Sequence, residues 1–276
     1  MKLKLGHIDY LNCTPMFHYL NQCGFDGTTI HGVPSELNQM LSQGEIDVSP
    51  SSSFEYGCRF KDYVLLPEHS ISALHCVKSV LLFSPVLIEE LEGQCIYLTG
   101  ESATSVNLLR VLLREYYGWS AVECHVPEQK IEELLYNKKP VLLIGDRALI
   151  AASKKAANLY QYDLAQLWYH FTQLPFVFAL WIVRRQILGT MSAELLRLQQ
   201  QLVVSRKMAF DDLNSLALTV TEKEWITPEQ LVEYWQSISY NLDERHIKGL
   251  TLFFELCVKY GYLSEMPEIA FVDNDS

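Results

Sequence analysis

Apolar and polar positions along the chain alternate between a pattern typical of strands and one typical of helices. Short apolar runs of strand length end in small polar or turn residues, and amphipathic segments with apolar residues three or four positions apart follow. The runs lie near residues 3–8, 46–48, 77–83, 94–98, 141–144 and 176–183. This alternation predicts an α/β protein with mainly parallel sheets.

Several predicted helices have explicit start and stop signals. Thr14 and Pro15 combine an N-cap residue with proline at the first helical position. Asp163 and Gln166 have the spacing of a capping box. Gly118 is a suitable residue to end the helix that precedes it. The last third of the chain is predominantly helical in pattern.

The two long apolar runs at 77–83 and 176–183 bracket the middle of the chain. We interpret them as the places where the chain crosses into a second lobe and returns. The first, discontinuous lobe would contain residues 1–84 and the helical part 184–276, and the second lobe residues 85–183. A ligand would bind in the cleft between the lobes, outside the carboxyl ends of the strands.

Composition and charge narrow the class of partner. The 276 residues are 49% hydrophobic, and the formal net charge of -11 without a Lys/Arg cluster argues against nucleic acid or an anionic membrane. No apolar leader follows Met1, and the apolar run 174–183 contains Pro175 and is too short to span a bilayer. Seven scattered cysteines fit a reducing compartment. We therefore expect a cytoplasmic protein, either a monomer or a homodimer.

Three segments place small polar residues at predicted strand ends. They are Asn12, residues 49–53 and residues 99–105. Hydroxyls and the backbone N–H groups of a turn entering a helix direct donors at one place, and the helix start adds partial positive charge. On opposite lobes they would form a clamp for a ligand with two carboxylates or phosphates. An Asx-turn at Asn12 and N-capping by Thr104 or Ser105 are the structural alternatives.

Other candidate chemistry is weaker. His69, His75-Cys76 and Cys124-His125 lack a spacing that would link them as metal ligands, so we expect no metal. No P-loop, G-x-G-x-x-G or G-x-S-x-G motif is present. Asp146, at the end of a buried strand, is either a helix cap or a ligand-facing acid.

A series of ordered motifs extends over nearly the whole chain. They are Tyr10-Leu11-Asn12, Gly44-Glu45-Ile46-Asp47-Val48, Ser51-Ser52 with Glu55-Tyr56, Gly100-Glu101-Ser102-Ala103-Thr104-Ser105, Ile144-Gly145-Asp146 and Leu174-Pro175-Phe176. In these motifs the chain resembles the menaquinone-biosynthesis family of the futalosine route, and within it the chorismate dehydratase type. One departure is Gln173, where the family usually has glycine.

The resemblance implies a two-lobed periplasmic-binding-protein-like fold of the second type, used as an enzyme. Such a lyase removes the C3 proton and the C4 hydroxyl of chorismate and forms 3-[(1-carboxyvinyl)oxy]benzoate. It needs no cofactor, because aromatisation supplies the driving force. The alternative is a protein of the same fold that binds a small dicarboxylate without turnover, although the missing signal peptide argues against a transport receptor.

The resemblance also assigns roles to particular residues. Asn12 would orient the ring or the leaving hydroxyl, and Ser79 would donate a hydrogen bond to developing charge. The substrate-binding residues would be Ser51, Ser52, Thr104, Ser105 and Asp146.

The motifs contain no obvious catalytic base. Our hypothesis is that the enolpyruvyl carboxylate of the substrate takes the C3 proton, with the enzyme fixing its geometry. If the base belongs to the protein, Asp146 or Glu55 is the candidate.

Overall fold

The structure is a computed structural model that describes residues 2–100, 102–154, 159–220 and 225–272. Glu101, part of one motif above, lies outside these ranges. The strands are β1 (Lys4–Ile8), β2 (Thr28–Gly32), β3 (Val48–Ser52), β4 (Tyr63–Ala73), β5 (Val80–Ser84), β6 (Ile96–Leu98), β7 (Cys124–His125), β8 (Val141–Ile144), β9 (Tyr160–Asp163) and β10 (Phe176–Arg184). The helices are α1 (Thr14–Phe17), α2 (Pro34–Gln43), α3 (Ser53–Arg59), α4 (Ala103–Glu115), α5 (Ile131–Tyr136), α6 (Gly145–Ser153), α7 (Leu164–Thr172), α8 (Leu188–Asp211), α9 (Leu213–Thr219), α10 (Pro228–Ser237) and α11 (Glu244–Lys259). Short 3-10 turns span Leu11–Cys13, Ile88–Glu90 and Arg185–Ile187.

Among the described residues the strands form two sheets, ordered β2-β1-β3-β10-β4 and β7-β6-β8-β5-β9. In the first sheet β1 is parallel to β2 and β3, whereas β10 is antiparallel to β3 and β4. In the second, β6 is parallel to β7 and β8, whereas β5 is antiparallel to β8 and β9. Both sheets are therefore mixed, which corrects the expectation of mainly parallel pairing. β5 enters the second sheet directly from β4 of the first, without the helical crossover that parallel pairing requires, whereas β10 returns to the first sheet after α7.

The same two strands show where the chain crosses between the sheets. β4 belongs to the first sheet and β5 to the second, so the outward crossing lies between Ala73 and Val80. The return lies between α7 and β10, which belongs to the first sheet. The boundaries expected after residues 84 and 183 are thus each one strand too late, because an apolar run indicates burial and not sheet membership. With these corrected boundaries, the division into two lobes remains our proposal.

Four strands, β2, β4, β7 and β9, were not predicted from the sequence. β2 is an edge strand with no fully buried residue, so it has no apolar face to detect. β4 contains Pro67 and Glu68, which interrupt its apolar pattern, and Glu68 adopts a positive φ of 66°. Its pairing with β10 shifts register between Leu180 and Ile182, which is typical of a β-bulge.

One continuous hydrophobic core connects both sheets with the C-terminal helices. Trp168 of α7 packs edge-to-face on Phe176 of β10, with ring centroids 5.3 Å apart, and Phe176 packs on Phe253 of α11 at 5.0 Å. Gly249 lets α11 approach the chain closely, because a Cβ there would clash with the Pro175 carbonyl oxygen. The return crossing is therefore held against α11.

None of the helices in the described ranges has the length and apolar character needed to cross a bilayer.

Candidate functional site

The candidate site is a cleft whose walls come from both sheets and from the turn after β1. Apolar and polar side chains share the lining, and no charged side chain is among the described residues that line it. The lining residues are Ile8, Tyr10, Asn12, Pro34, Ser52, Ile71, Val77, Ser79, Val80, Ser102, Ser105, Ile144, Gly145, Phe178 and Ala179. The cleft thus brings together four of the predicted site residues, Asn12, Ser52, Ser79 and Ser105.

Asn12 lies in the 3-10 turn that follows β1, and three side chains hold this turn in place. Trp235 Nε1 donates to the Leu11 carbonyl oxygen at 2.7 Å, and the Tyr240 hydroxyl donates to the Asn12 carbonyl oxygen at 2.8 Å. Asp146 Oδ1 accepts from the Leu11 N–H at 3.2 Å. The backbone around Asn12 is therefore anchored independently of any ligand.

The side chain of Asn12 has an unmet hydrogen-bonding capacity. Its Oδ1 atom is buried and has no hydrogen-bond partner among the described residues. A buried amide oxygen without a donor is costly, and most such oxygens in folded proteins are paired. In the wall of a cleft, this oxygen is suited to accept a hydrogen bond from a ligand hydroxyl.

Ser79 is buried in the crossing from the first sheet to the second. Its hydroxyl donates to the Val77 carbonyl oxygen at 3.3 Å and accepts from the Tyr234 hydroxyl at 2.9 Å. Burial raises the pKa of Tyr234, so this phenol stays protonated and remains a donor. Nothing in the sequence spacing of α10 indicates this partner of Tyr234.

Asp163 fixes the backbone on which Ser79 stands. Its Oδ2 accepts from the N–H groups of Val77 and Lys78 at 2.9 and 2.7 Å, and its Oδ1 accepts from those of Ala165 and Gln166. Burial raises the pKa of Asp163, and the four N–H groups oppose that effect. The predicted helix start at Asp163 is confirmed, and the same carboxylate also holds the crossing.

The start of α4 contributes two hydroxyls to the cleft. Ser102 is the N-cap, and its Oγ accepts from the Ser105 N–H at 3.2 Å and lies 3.1 Å from Ser105 Oγ. The helix dipole adds partial positive charge at this end of α4. Ser102 belongs to the predicted polar segment 99–105 but was not among the predicted site residues, although a serine directly before a helix start is a typical N-cap.

Ser52 and Thr104 connect the two sheets. Their hydroxyl oxygens lie 2.8 Å apart, and Thr104 Oγ1 also accepts from the Phe54 N–H at 3.0 Å. Ser52 Oγ additionally caps α3 by accepting from the Glu55 N–H. Thr104 is fully buried and does not line the cleft, so its hydroxyl joins the starts of α3 and α4. The ligand-binding role expected for Thr104 therefore stays a prediction, with a structural role now visible beside it.

Ser51 and Asp146 are also separated from the cleft. Ser51 is fully buried on β3, and strand alternation directs it away from the face that carries Ser52. Its Oγ has no hydrogen-bond partner among the described residues. Asp146 holds the turn with Asn12 and is not part of the lining.

Glu55, the second candidate base, also lies outside the cleft lining. Its Oε1 accepts from the Tyr63 hydroxyl at 3.3 Å and lies 3.5 Å from Arg59. Burial raises the pKa of Glu55, and Arg59 and Tyr63 counteract this. A raised pKa alone does not bring the carboxylate to the cleft.

Comparison with known proteins agrees with the motifs. A family model described as menaquinone biosynthesis matches residues 3–259. A chorismate dehydratase of Thermus thermophilus is 34% identical over 265 residues, which cover 91% of this chain and 93% of that protein. The chain belongs to the menaquinone biosynthesis family. The family resemblance inferred from the motifs is confirmed.

Solved structures establish the fold. A crystal structure of an Archaeoglobus fulgidus protein superposes with a TM-score of 0.75 at 17% identity, covering 95% of this chain and 98% of that one. The periplasmic aliphatic sulphonate binding protein SsuA of Escherichia coli gives 0.70 at 11% identity, covering 100% and 94%. The predicted periplasmic-binding-protein-like α/β fold is confirmed, and at these identities the likeness concerns the fold alone.

The structure explains the departure at Gln173 from the glycine usual in the family. Gln173 ends α7 in the left-handed region, with a φ of 58°. Glycine adopts this conformation without steric cost, whereas other residues pay about 1–2 kcal/mol. Here Gln173 Nε2 donates to the carbonyl oxygens of Tyr169 and His170, and the Gln173 carbonyl accepts from Arg245. The two side-chain hydrogen bonds, which glycine could not make, offset part of the strain.

Proposed function

We propose that this member of the menaquinone biosynthesis family is a chorismate dehydratase, a lyase that eliminates water from chorismate. Its membership of the family and its 34% identity to a protein of that name support the assignment. The structural observation that carries it is the composition of the cleft. It has several neutral hydrogen-bonding groups, a buried unpaired Asn12 Oδ1 and, among its described lining residues, no charged side chain.

Chorismate has two carboxylates, and the cleft offers neutral donors for them. Ser102 and Ser105 lie at the start of α4, where the helix dipole favours an anion. Ser52 provides a hydroxyl from the other sheet. Local donors of this kind hold an anion against the net charge of -11. This assignment keeps Ser52 and Ser105 from the sequence prediction and adds Ser102.

The elimination transfers one proton and breaks one C–O bond. The C3 proton moves to a base, the C3 electrons form a ring double bond, and the C4 oxygen leaves and becomes water by taking up a proton. Asn12 Oδ1 would accept from the C4 hydroxyl and orient it. Ser79, which receives a hydrogen bond from Tyr234, would turn its proton from the Val77 carbonyl oxygen to the departing oxygen. A donor aimed at developing charge contributes about 2.7–4 kcal/mol to transition-state stabilisation.

The enolpyruvyl carboxylate of the substrate is our candidate for the base. Neither Asp146 nor Glu55 is among the cleft-lining residues, and both have partners elsewhere. A carboxylate that is already attached next to C3 needs only to be held in the correct orientation, and such positioning can supply several kcal/mol. Turnover should then be independent of pH from neutral to mildly acidic conditions. An ionisation near pH 6–7 that disappears in Asp146→Asn or Glu55→Gln would show a protein base instead.

The decisive experiment is incubation of the purified protein with chorismate, followed by chromatography and mass spectrometry. We expect loss of one water and an aromatic enol ether, with kcat about 10²–10³-fold lower in Asn12→Ala. Asn214→Ala, at an exposed position of α9, is the matched control and should leave kcat unchanged. Tight binding of chorismate without turnover would support the alternative of a dicarboxylate-binding protein. If the protein neither binds nor converts chorismate, chorismate is not its substrate.

A further inference from the structure

Two histidines and an aspartate meet at the edge of the first sheet, outside the cleft. β1 and β2 are parallel, and their register places His7 directly beside His31. Asp9 follows His7 by two positions and therefore projects to the same side of the extended chain. One candidate ligand atom from each of His7, Asp9 and His31 lies within 4.8 Å of the other two. The backbone itself thus brings the three side chains together.

This cluster is separate from the proposed catalytic site. Ile8, which lies between His7 and Asp9, lines the cleft, so strand alternation directs its two neighbours to the other face. The cluster instead contacts α1, where the His7 ring stacks on Phe17 with centroids 4.0 Å apart and planes 10° apart. None of the three residues has a role in the reaction proposed above.

The three side chains differ in how firmly the surrounding structure holds them. The His7 ring is partly buried and stacks on Phe17. His31 Nδ1 and Asp9 Oδ1 are 2.6 Å apart, and these side chains are 56% and 59% exposed. His7 is therefore held rigidly against Phe17. The exposed His31 and Asp9 side chains can change conformation to bind an ion, and they leave room for a water ligand.

We propose that His7, Asp9 and His31 form a binding site for a divalent transition-metal ion of the Zn²⁺ type. Two imidazoles and one carboxylate are a known zinc donor set, with bonds of about 2.0–2.2 Å and a fourth position for water. Tetrahedral geometry requires the ligand atoms to lie about 3.3 Å apart, so the exposed His31 and Asp9 need only small movements. Imidazole ligands favour Zn²⁺ or Cu²⁺ over Mg²⁺ and Ca²⁺. The ion would replace the hydrogen bond between His31 and Asp9.

An ordinary ion pair between His31 and Asp9, with His7 packed as a core residue, is the competing explanation. Sequence spacing did not reveal the three ligands, because His7 lies in β1 and Asp9 directly after it, and the third ligand, His31, comes from β2. A bound ion would fasten the edge strand β2 to β1 immediately before the turn that holds Asn12. Metal binding should therefore raise the melting temperature of the protein.

The test uses the whole chain, treated with a chelator and then titrated with Co²⁺ as a spectroscopic substitute for Zn²⁺. We expect one equivalent to give the visible absorption bands of tetrahedral Co²⁺, and Zn²⁺ to displace it. Asp9→Asn and His31→Gln should each weaken binding at least about tenfold, because each removes a ligand. Both positions are exposed, so circular dichroism should show that the variants fold. His125→Gln, at an exposed position of β7, is the control and should bind as the wild type does.

The outcomes separate the explanations. A melting temperature that rises with Zn²⁺ in the wild type and in His125→Gln, but not in His31→Gln, would support the site. Absence of stoichiometric binding, or equal binding in all variants, would overturn it. A thiolate-to-cobalt charge-transfer band would also overturn it, because the ion would then be bound by some of the seven cysteines.

Discussion

The Tyr234 hydroxyl donates a hydrogen bond to Ser79 Oγ at 2.9 Å, and the two residues are 155 positions apart in sequence. Tyr234 comes from helix α10, whereas Ser79 lies in the crossing between the sheets. Both are buried, so the contact is shielded from water. A hydroxyl that receives a hydrogen bond becomes a better donor, since neighbouring hydrogen bonds polarise one another. The C-terminal helices therefore contact a cleft-lining residue as well as the core.

Tyr234→Phe should lower kcat for chorismate dehydration by about 10-fold, corresponding to one buried hydrogen bond of roughly 1–2 kcal/mol. The effect should vanish in a Ser79→Ala background, because Tyr234 acts through Ser79. Steady-state kinetics of the two single variants and the double variant measure this coupling. Tyr136→Phe, at a side chain that is 87% exposed, serves as the control. If the decreases in kcat caused by the two substitutions were additive in the double variant, Tyr234 would not act through Ser79.

Thr104→Val should lower the free energy of unfolding by about 1–3 kcal/mol, because it leaves the partly buried Phe54 N–H without its acceptor and breaks the contact with Ser52. Valine has nearly the shape of threonine, so packing should persist. Urea denaturation measures the loss, and Thr28→Val at an exposed edge-strand position is the control. A large rise in KM with unchanged stability would instead assign Thr104 to substrate binding.

Gly249→Ala should destabilise the protein by about 1–3 kcal/mol, or more if the backbone cannot yield, because the added methyl meets the Pro175 carbonyl oxygen. Gly189→Ala is the matched control, since a Cβ there would have no atom within 4 Å. Its effect should be within about 0.5 kcal/mol of zero. Thermal or urea unfolding measures the change in stability of each variant. Equal effects of the two substitutions would mean that α11 can move away from the return crossing.

His69 should make the protein less stable as the pH falls. Burial and nearby Arg206 lower the pKa of His69 to about 4, whereas the unfolded chain has a value near 6.5. Below pH 6.5 the unfolded state binds a proton that the folded state does not, so stability is present above that pH and is lost towards pH 4. Between pH 7 and 5 the loss should be roughly 2 kcal/mol.

The check for His69 is a comparison of unfolding free energies at pH 7 and pH 5. His69→Gln should flatten the pH dependence relative to the wild type by about this 2 kcal/mol. His170→Gln, at an exposed position of α7, should keep the wild-type slope. An unchanged slope in His69→Gln would show that another group is responsible for the pH dependence.

Local signals predicted those features that depend on neighbouring residues. The helix start at Asp163 is confirmed, as is the strand ending at Ile144, because capping and apolar runs act within a few residues. β2 and β4 were missed, since an exposed edge and a bulge leave no regular pattern. Of the predicted site residues that line the cleft, Asn12 lies in the turn after β1, Ser52 ends β3, Ser105 lies in the first turn of a helix, and Ser79 directly precedes β5.

The sequence by itself determined the family and the alternation of strands and helices, since motifs and periodicity are carried by residues close together in the chain. Only the tertiary structure decided which hydroxyls face the cleft. It placed Ser52 in the wall and Ser51 behind it, because adjacent strand residues point to opposite faces. It also brought Tyr234 to Ser79 and His31 to His7. Such contacts depend on sheet register and on the packing of distant helices, and neither leaves a local mark in the sequence.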